Sequence, residues 1–231
     1  MSKLISIVED EPLIRENYAD ALHKQGYKVE ILGGKEEALE RFNNHLPDLV
    51  LLDIGLGDDS EAGFDICRNL RGKSATLPII FLTARDSDLD VVSGLRLGAD
   101  DYLTKDISLA NLCARITAFF RRLDAIKSPD TEESLLQRGP LTLDMDRLTT
   151  YWNEQPVDLT LTEFWLVHSL ARRPGHVKNR DQLMQDAKIV VDDATITSHI
   201  KRLRNKFLGI DQKFKSIDTV YGMGYRWLTG D

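Results

Sequence analysis

Acidic side chains follow two apolar runs in the first half of the chain. Leu4–Val8 is followed directly by Glu9 and Asp10, and Leu49–Leu52 is followed by Asp53. Two carboxylates about 4 Å apart repel by roughly 4 kcal/mol at an effective dielectric of about 20, so a cluster of them needs a compensating cation. Mg²⁺ suits a site where a few carboxylates and a phosphate supply the oxygen ligands. The sequence therefore predicts a Mg²⁺ site.

The residues after two further apolar runs fit phosphoryl chemistry at the same place. Ile79–Leu82 is followed by Thr83 and Ala84, and Asp101–Thr104 is followed by Lys105. An aspartate beside a metal ion and a lysine is suited to attack a phosphoryl group and become an acyl phosphate. The metal and the lysine would neutralise charge on the transferring oxygens. The Thr83 hydroxyl and the Ala84 N–H would then hold the transferred group.

Short apolar runs alternate with helical patterns, and this alternation predicts the scaffold that gathers these residues. The predicted strands are Leu4–Val8, Val29–Leu32, Leu49–Leu52, Ile79–Leu82 and Asp101–Thr104, and the predicted helices are Pro12–Gln25, Lys35–His45, Gly63–Arg71, Asp88–Leu97 and Leu109–Leu123. Continuous apolar character is typical of strands buried on both faces, which indicates a doubly wound parallel α/β sheet. Ligands of such sheets bind beyond the carboxyl ends of the strands, where the acids and Lys105 would converge.

The pattern changes after residue 122. Residues 123–138 are rich in Pro, Ser, Thr and mixed charge, which predicts a linker between a first domain, 1–122, and a second, 139–231. The second domain begins with short alternating segments, typical of a small antiparallel sheet. Helices are expected at Thr162–Arg173, Asn179–Ala187 and Asp193–Leu208, and a terminal hairpin is expected within 214–228. This domain is predicted to be α+β.

The helix predicted at Asp193–Leu208 combines an apolar stripe with a cationic face. The stripe has spacings of four, three and four, and consists of Ile196, Ile200, Leu203 and Phe207. At about 100° per residue, the positions opposite it are Ser198, Lys201, Arg202 and Asn205, with Thr195 beside them. Such a face fits the major groove of DNA, where Arg and Lys reach phosphates and guanine edges. An ordinary solvated surface is the alternative interpretation.

The composition fits this organisation. The chain has 231 residues, enough for two domains, and its net charge of −7 coexists with a basic segment at 195–226, which indicates an anionic partner. Two cysteines, Cys67 and Cys113, cannot form a disulfide framework and favour a reducing compartment. The N-terminal apolar run is too short for a signal peptide or a membrane span. We therefore expect a cytoplasmic protein without a membrane partner.

The strand-end motifs resemble those of the receiver domain of two-component response regulators. The segments that carry the resemblance are "VEDE", "LLDIGLG", "LTAR" and "ADDYLTK". It implies a five-stranded sheet of order 2-1-3-4-5 in which Asp53 is the phosphoacceptor. Asp10 would be a direct ligand of the Mg²⁺ and Glu9 a ligand mostly through water. The Gly55 carbonyl would be the third protein contact of the ion.

The same resemblance assigns phosphoryl binding to Thr83 and Lys105. It makes Tyr102 an aromatic switch whose rotamer follows Thr83, although a half-buried packing role for this ring is equally open. The chain departs from the family pattern in the loop after Asp53. This loop is longer than usual, has Gly57 where proline is common, and adds acidic residues to which the resemblance gives no role.

The second half resembles the winged helix-turn-helix effector domain of the OmpR/PhoB group. The matching segments are "LTLTEFWLVHSLARRPGHV", "TITSHIKRLRNKF" and "IDTVYGMGYRW". The DNA-facing candidates that it implies are Thr195, Thr197, Ser198, His199, Lys201, Arg202 and Arg204 in the recognition helix, with Tyr221, Tyr225 and Arg226 in the wing. Ser198 and Arg202 would read base edges, and His199, Lys201 and Arg204 would contact phosphates. Tyr221 stands where the family commonly has an arginine that enters the minor groove.

The two resemblances together imply a phosphorylation relay. A sensor histidine kinase would phosphorylate Asp53, the receivers would pair, and the paired effector domains would bind promoter DNA and contact RNA polymerase, commonly through the segment at 186–191. The candidate residues of the pairing face are Leu95, Asp101, Ala114 and Arg115.

Two other classes remain open. One is an aspartate-nucleophile phosphatase with multiple turnover, against which stands the lack of a second general acid beside Asp53 in the sequence motifs. The other is a phosphorylation-independent DNA-binding protein that uses its receiver only to dimerise. In that case Asp53→Ala would leave DNA affinity unchanged.

Overall fold

The computed structural model describes residues 2–84, 94, 95, 97–126, 134–187 and 193–228, with only the backbone at 122, 123, 125 and 126. The chain forms two compact units, residues 1–116 and 117–231. Each unit is built around its own hydrophobic core.

The first unit is a parallel five-stranded sheet of order β2-β1-β3-β4-β5, as predicted. Its strands are β1 (Leu4–Val8), β2 (Lys28–Leu32), β3 (Leu49–Leu52), β4 (Ile79–Thr83) and β5 (Asp101–Thr104). Its helices are α1 (Pro12–Lys24), α2 (Lys35–Asn44), α3 (Ala62–Lys73) and α4 (Leu109–Ile126), the last of which runs on into the second unit. The helix predicted at 88–97 falls mostly outside the described residues.

Strands β3 and β4 are buried along their whole length, which explains their continuous apolar sequence. One glycine lets α3 begin close to the carboxyl end of β3. A Cβ on Gly63 would lie 2.1 Å from the Asp53 carbonyl oxygen and 2.7 Å from the Cα of Ile54. The Gly63 N–H also donates to the Ile54 carbonyl at 2.8 Å. This close approach fixes the backbone that carries the Asp53 side chain.

After α4, the described residues of the second unit form an antiparallel sheet, three helices and a hairpin, as predicted. The sheet is β6 (Leu135–Arg138), β7 (Leu141–Asp144), β8 (Thr149–Trp152) and β9 (Gln155–Pro156). The helices are α5 (Leu161–Arg172), α6 (Arg180–Asp186) and α7 (Asp193–Ile210), and the hairpin pairs β10 (Ile217–Val220) with β11 (Gly224–Trp227). The segment predicted as a linker is regular at both ends, because α4 continues to Ile126 and β6 occupies Leu135–Arg138. Leu136 is buried in the core, which explains why this end is ordered.

The predicted apolar stripe of α7 is buried in the core of the second unit. Phe207 stacks on Phe214 with ring centroids 4.5 Å apart, and Trp152 contacts both rings. The loop between α5 and α6 is joined to the hairpin, since Lys178 and Tyr225 exchange backbone hydrogen bonds of 2.8 and 2.9 Å. Residues of α7 and of the hairpin also share this core, so the two elements are held on one scaffold.

Candidate functional site

Three carboxylates meet at the carboxyl edge of the parallel sheet, as the sequence predicts. One oxygen from each of Glu9, Asp10 and Asp53 lies within 4.8 Å of the others. Glu9 and Asp53 are buried, and Asp10 is exposed at the mouth of the cluster. The ends of β1 and β3 bring them together because these strands are neighbours, with Val8 opposite Leu52. The donor set is entirely hard oxygen, which fits Mg²⁺.

Lys105 lies between two of these carboxylates. Its Nζ is 2.7 Å from Glu9 Oε2 and 2.7 Å from Asp53 Oδ2. Burial raises the pKa of Glu9, the nearby Asp53 charge adds to this, and the hydrogen bond from Lys105 opposes it. Burial by itself would lower the pKa of Lys105, but the two carboxylates outweigh it and raise that pKa. Lys105 thus contacts two of the three carboxylates, and the excess of negative charge in the cluster leaves room for a divalent cation.

The phosphoryl-binding candidates lie at the ends of the adjacent strands. Thr83 is buried at the end of β4, Ala84 after it is exposed, and the Lys105 N–H donates to the Thr83 carbonyl at 2.9 Å. That bond couples the ends of β4 and β5.

Tyr102 is buried in the core of the first unit. Its ring lies 6.1 Å from the ring of Phe81, centroid to centroid. A Cβ on Gly94 would come within 3.0 Å of both rings, so the glycine leaves space for this arrangement. The ring of the proposed switch residue therefore faces inward in this structure.

The longer loop after Asp53 folds against the carboxylate cluster. The Gly57 N–H donates to Asp10 Oδ2 at 2.9 Å. Asp59 is bound by Lys35, a residue that the sequence reasoning did not single out. No local sequence pattern indicates this pair, because 24 residues separate its members.

The pairing-face candidates fall into two groups. Asp101 and Arg115 form an ion pair of 2.8 Å within one chain, and Ala114 is exposed. Leu95, expected on the pairing face, is only 1% exposed and packs in the core of the first unit. This placement corrects the expectation, because a side chain that fills the core has no surface to offer a second copy.

Helix α7, which is predicted to be the recognition helix, buries more of its circumference than the helical wheel indicated. Thr195, His199 and Arg202 are buried, with only 9% of Arg202 exposed. Together with Lys206 they recur at spacings of four, three and four, which makes a second stripe beside the apolar one. The placement of Arg202 opposite the core, and with it the expectation that Arg202 reads base edges, is therefore corrected.

This stripe is buried against Glu163 of α5, a residue that the sequence reasoning did not single out. Its carboxylate accepts hydrogen bonds from Arg202 Nε and, at 2.6 Å, from Lys206 Nζ. It also caps α5 through a reciprocal capping box with Thr160. Burial would raise the pKa of Glu163, but the charges of Arg202 and Lys206 lower it to about 2. The spacing Thr160-x-x-Glu163 was a visible signal for this cap.

The open face of α7 is narrower than predicted. It comprises Thr197, Lys201 and Asn205, which are exposed, and Ser198, which is half-buried. Arg180 at the start of α6 donates through Nε to Thr197 Oγ1 at 3.3 Å, so a second cation joins this face. These side chains are small, polar or cationic, as a major-groove surface requires.

Arg204, the last candidate of α7, and the three wing candidates differ in exposure. Arg204 donates to the Ile217 carbonyl at 3.0 Å and to Thr219 Oγ1 at 2.7 Å, so it ties α7 to the hairpin. Tyr225 is buried, and Arg226 pairs with Asp218 across the hairpin at 2.9 Å. Tyr221 at the hairpin tip is 99% exposed. The segment expected to meet RNA polymerase lies mostly within 188–192, outside the described residues.

Two family models match the chain. A response regulator receiver domain matches residues 5–117, and the C-terminal domain of transcriptional regulatory proteins matches residues 154–227. Among the helices of the described segments, none is long and apolar enough to cross a membrane.

Relatives are similar over nearly the whole chain. The sensory transduction protein RegX3 of Mycolicibacterium smegmatis is 39% identical over 225 residues, covering 96% of this chain and 97% of RegX3. The phosphate regulon transcriptional regulatory protein PhoB of Shigella dysenteriae is 36% identical and covers 99% of both chains. A solved structure of a RitR mutant has a TM-score of 0.77 at 27% identity, covering 99% of this chain and 100% of that one. The OmpR/PhoB homolog DrrB of Thermotoga maritima has a TM-score of 0.52 at 27% identity and the same coverage.

Proposed function

Because the chain belongs to the OmpR/PhoB family of two-component response regulators, we propose that Asp53 accepts a phosphoryl group from a sensor histidine kinase. The observation that carries the proposal is the cluster of Glu9, Asp10 and Asp53 with Lys105 placed 2.7 Å from the Asp53 carboxylate. Asp53 is 7% exposed, and Asp10 beside it is exposed to solvent, so we propose that the phosphoryl donor approaches from the side of Asp10.

In the proposed step, an Asp53 carboxylate oxygen forms a P–O bond as the P–N bond to the kinase histidine breaks. The electron pair of the broken bond returns to the imidazole, which then takes up a proton. Mg²⁺ bound by Glu9, Asp10, Asp53 and the Gly55 carbonyl would supply charge neutralisation on the phosphoryl oxygens. Lys105, whose Nζ is 2.7 Å from Asp53 Oδ2, would orient Asp53 beforehand, and its ammonium would neutralise charge on the transferred phosphoryl group.

The proposed consequence is a change in a two-state element. The added charge would draw the Thr83 hydroxyl and the Ala84 N–H toward the phosphoryl group, and the packing of Tyr102 would follow. The face containing Asp101, Ala114 and Arg115 would then pair two copies, which we propose form a dimer on activation.

The proposed target is double-stranded promoter DNA, reached by the open face of α7. Thr197, Ser198 and Lys201 support this role because they are accessible and carry donors. Tyr221 would contact sugar or phosphate from the exposed hairpin tip, and RNA polymerase would be a further partner. A regulator that binds chromosomal DNA acts in the cytoplasm, so we propose this location. Slow self-dephosphorylation would be its only hydrolytic activity.

The test compares promoter DNA binding by the full chain with and without acetyl phosphate and Mg²⁺. Wild type is expected to bind more tightly after phosphorylation, and Asp53→Asn is expected to lose this response. Asp58→Asn, which removes an exposed carboxylate from the same loop, serves as the control and should respond like wild type. Equal affinity of phosphorylated and unphosphorylated protein would contradict the relay and favour a receiver that only dimerises.

A further inference from the structure

The loop that connects β3 to α3 contains a tight turn beside the carboxylate cluster. Leu56 and Asp59 exchange two backbone hydrogen bonds of 3.0 and 3.2 Å, which leaves Gly57 and Asp58 at the tip. Gly57 has φ +59° and Asp58 does not have a positive φ, the pattern of a type II′ turn with glycine at its first central position. The Leu56 side chain is buried and anchors the turn in the core.

This turn contacts the proposed metal site through one hydrogen bond. The Gly57 N–H lies 2.9 Å from Asp10 Oδ2, and Asp10 is the most accessible of the three carboxylates. An N–H donor fixed on one oxygen restricts the rotation of the carboxylate, so Asp10 is held ready as a ligand. The Gly55 carbonyl, the other proposed ligand in this loop, is positioned by the same turn.

Lys35 holds the turn from the outside. Its Nζ is 2.9 Å from Asp59 Oδ2 and 2.6 Å from Asp65 Oδ2, so it joins the turn to α3. The other oxygen of Asp59 accepts the Glu61 N–H at 3.0 Å, which leaves the Asp59 side chain little freedom. The carboxylates raise the pKa of Lys35, which therefore stays charged at neutral pH.

We infer that Lys35 is a positioning residue for the metal site, and that it acts through the Asp59 turn and the Gly57 N–H on Asp10. The inference rests on the proposed function, because it assumes that Asp10 binds Mg²⁺. It gives Asp59 a role: the carboxylate is the anchor of the turn. Lys35 is the first residue of α2, so its ion pair with Asp59 joins the loop to that helix.

The direction in which Lys35→Met changes the Mg²⁺ affinity distinguishes a positioning role from a purely electrostatic one. Lys35→Met removes a positive charge near an acidic site, so a purely electrostatic role would strengthen cation binding. Loss of positioning would weaken it instead. Since Lys35 and its partners are partly exposed, each ion pair is modest, and the Mg²⁺ dissociation constant is expected to rise about three- to ten-fold.

The experiment is isothermal titration calorimetry of Mg²⁺ into the full chain, with Gly57 amide hydrogen exchange measured by NMR. Lys35→Met is expected to weaken Mg²⁺ binding and to speed exchange at Gly57. Lys28→Met, an exposed lysine on β2, is the control of equal charge and should leave both unchanged. Unchanged or tighter Mg²⁺ binding by Lys35→Met overturns the inference.

The outcomes for wild type keep the two proposals apart. Absence of Mg²⁺ binding by wild type would contradict the metal site and the inference with it. Binding by wild type that Lys35→Met leaves intact overturns the inference alone. If Lys35→Met does not fold, Asp59→Asn is used in its place. The inference is then contradicted if the Gly57 amide of Asp59→Asn exchanges as slowly as it does in wild type.

Discussion

The buried carboxylate of Glu163 offers a quantitative test of how α7 is held against α5. Glu163→Gln keeps a residue that can complete the capping box with Thr160, so the substitution removes mainly the charge. The buried Arg202 would then lose the ion pair with the Glu163 carboxylate. Breaking a buried ion pair by removing one member costs about 3–5 kcal/mol.

The lowered pKa of Glu163 gives a second value for the free energy of unfolding that this ion pair contributes. Glu163 has a pKa lowered from 4.5 to about 2 in the folded protein. At about 1.36 kcal/mol per pKa unit, this corresponds to about 3 kcal/mol of stability at neutral pH. The folded pKa is depressed, so this stability is present above the unfolded pKa and is lost as pH falls from 4.5 toward 2. The difference between wild type and variant should shrink to less than half near about pH 3.

The assay is urea unfolding followed by tryptophan fluorescence. All three tryptophans, Trp152, Trp165 and Trp227, lie in the second unit, so the signal reports the unit that contains Glu163. Glu154→Gln, at an exposed turn of the same unit, is the control and should be nearly neutral. A loss below about 0.5 kcal/mol for Glu163→Gln, typical of a surface substitution, would refute the reasoning, as would a loss that does not change with pH.

Two further predictions concern the phosphoacceptor loop and the DNA face. Gly63→Ala should destabilise the first unit by about 1–3 kcal/mol, because its Cβ would lie 2.1 Å from the Asp53 carbonyl oxygen. Scanning calorimetry measures this, and Gly72→Ala, with open space around its Cβ on the same helix, should not destabilise; equal effects would contradict the steric argument. Lys201→Ala should lower the slope of log affinity against log salt for DNA by about 0.9, the value for one lost phosphate contact. Lys24→Ala, on α1 of the first unit, should leave that slope unchanged, and an unaltered slope for Lys201→Ala would remove Lys201 from the phosphate contacts.

The convergence of the strand-end residues was predictable because the topology of a parallel sheet brings them to the same edge. Glu9, Asp53 and Lys105 each follow an apolar run, and the carboxyl ends of parallel strands share one edge of the sheet. The sequence therefore sufficed to predict that these side chains converge. It did not indicate that Lys105 would divide its hydrogen bonds between Glu9 and Asp53, which depends on side-chain geometry.

The face of α7 was predictable only in part. The periodicity identified the apolar stripe, but it could not show that α5 covers the adjoining stripe as well. Arg202 is buried because Glu163 lies 39 residues earlier in the sequence and faces it in the fold. A cationic residue beside an apolar stripe has the same sequence pattern whether it contacts DNA or a buried carboxylate. The capping-box spacing of Thr160 and Glu163 was visible in the sequence, but it predicts only where α5 begins and not that Glu163 binds Arg202.

The roles of Asp59 and Leu95 were beyond the sequence for the same reason. Asp59 is bound by Lys35 at the start of α2, 24 residues earlier in the sequence, so no local pattern connects them. Leu95 lies on a helical pattern whose buried side depends on how it packs against the sheet, and packing placed it in the core.

The phosphorylation of Asp53 is the claim on which the proposed relay depends. Mass spectrometry of peptides from the full chain, after incubation with acetyl phosphate and Mg²⁺, should find a phosphoryl group on Asp53 that is sensitive to hydroxylamine. The modification should be absent from Asp53→Asn. A peptide containing Asp53 that stays unmodified under these conditions, or a phosphoryl group found only on another residue, would contradict the account.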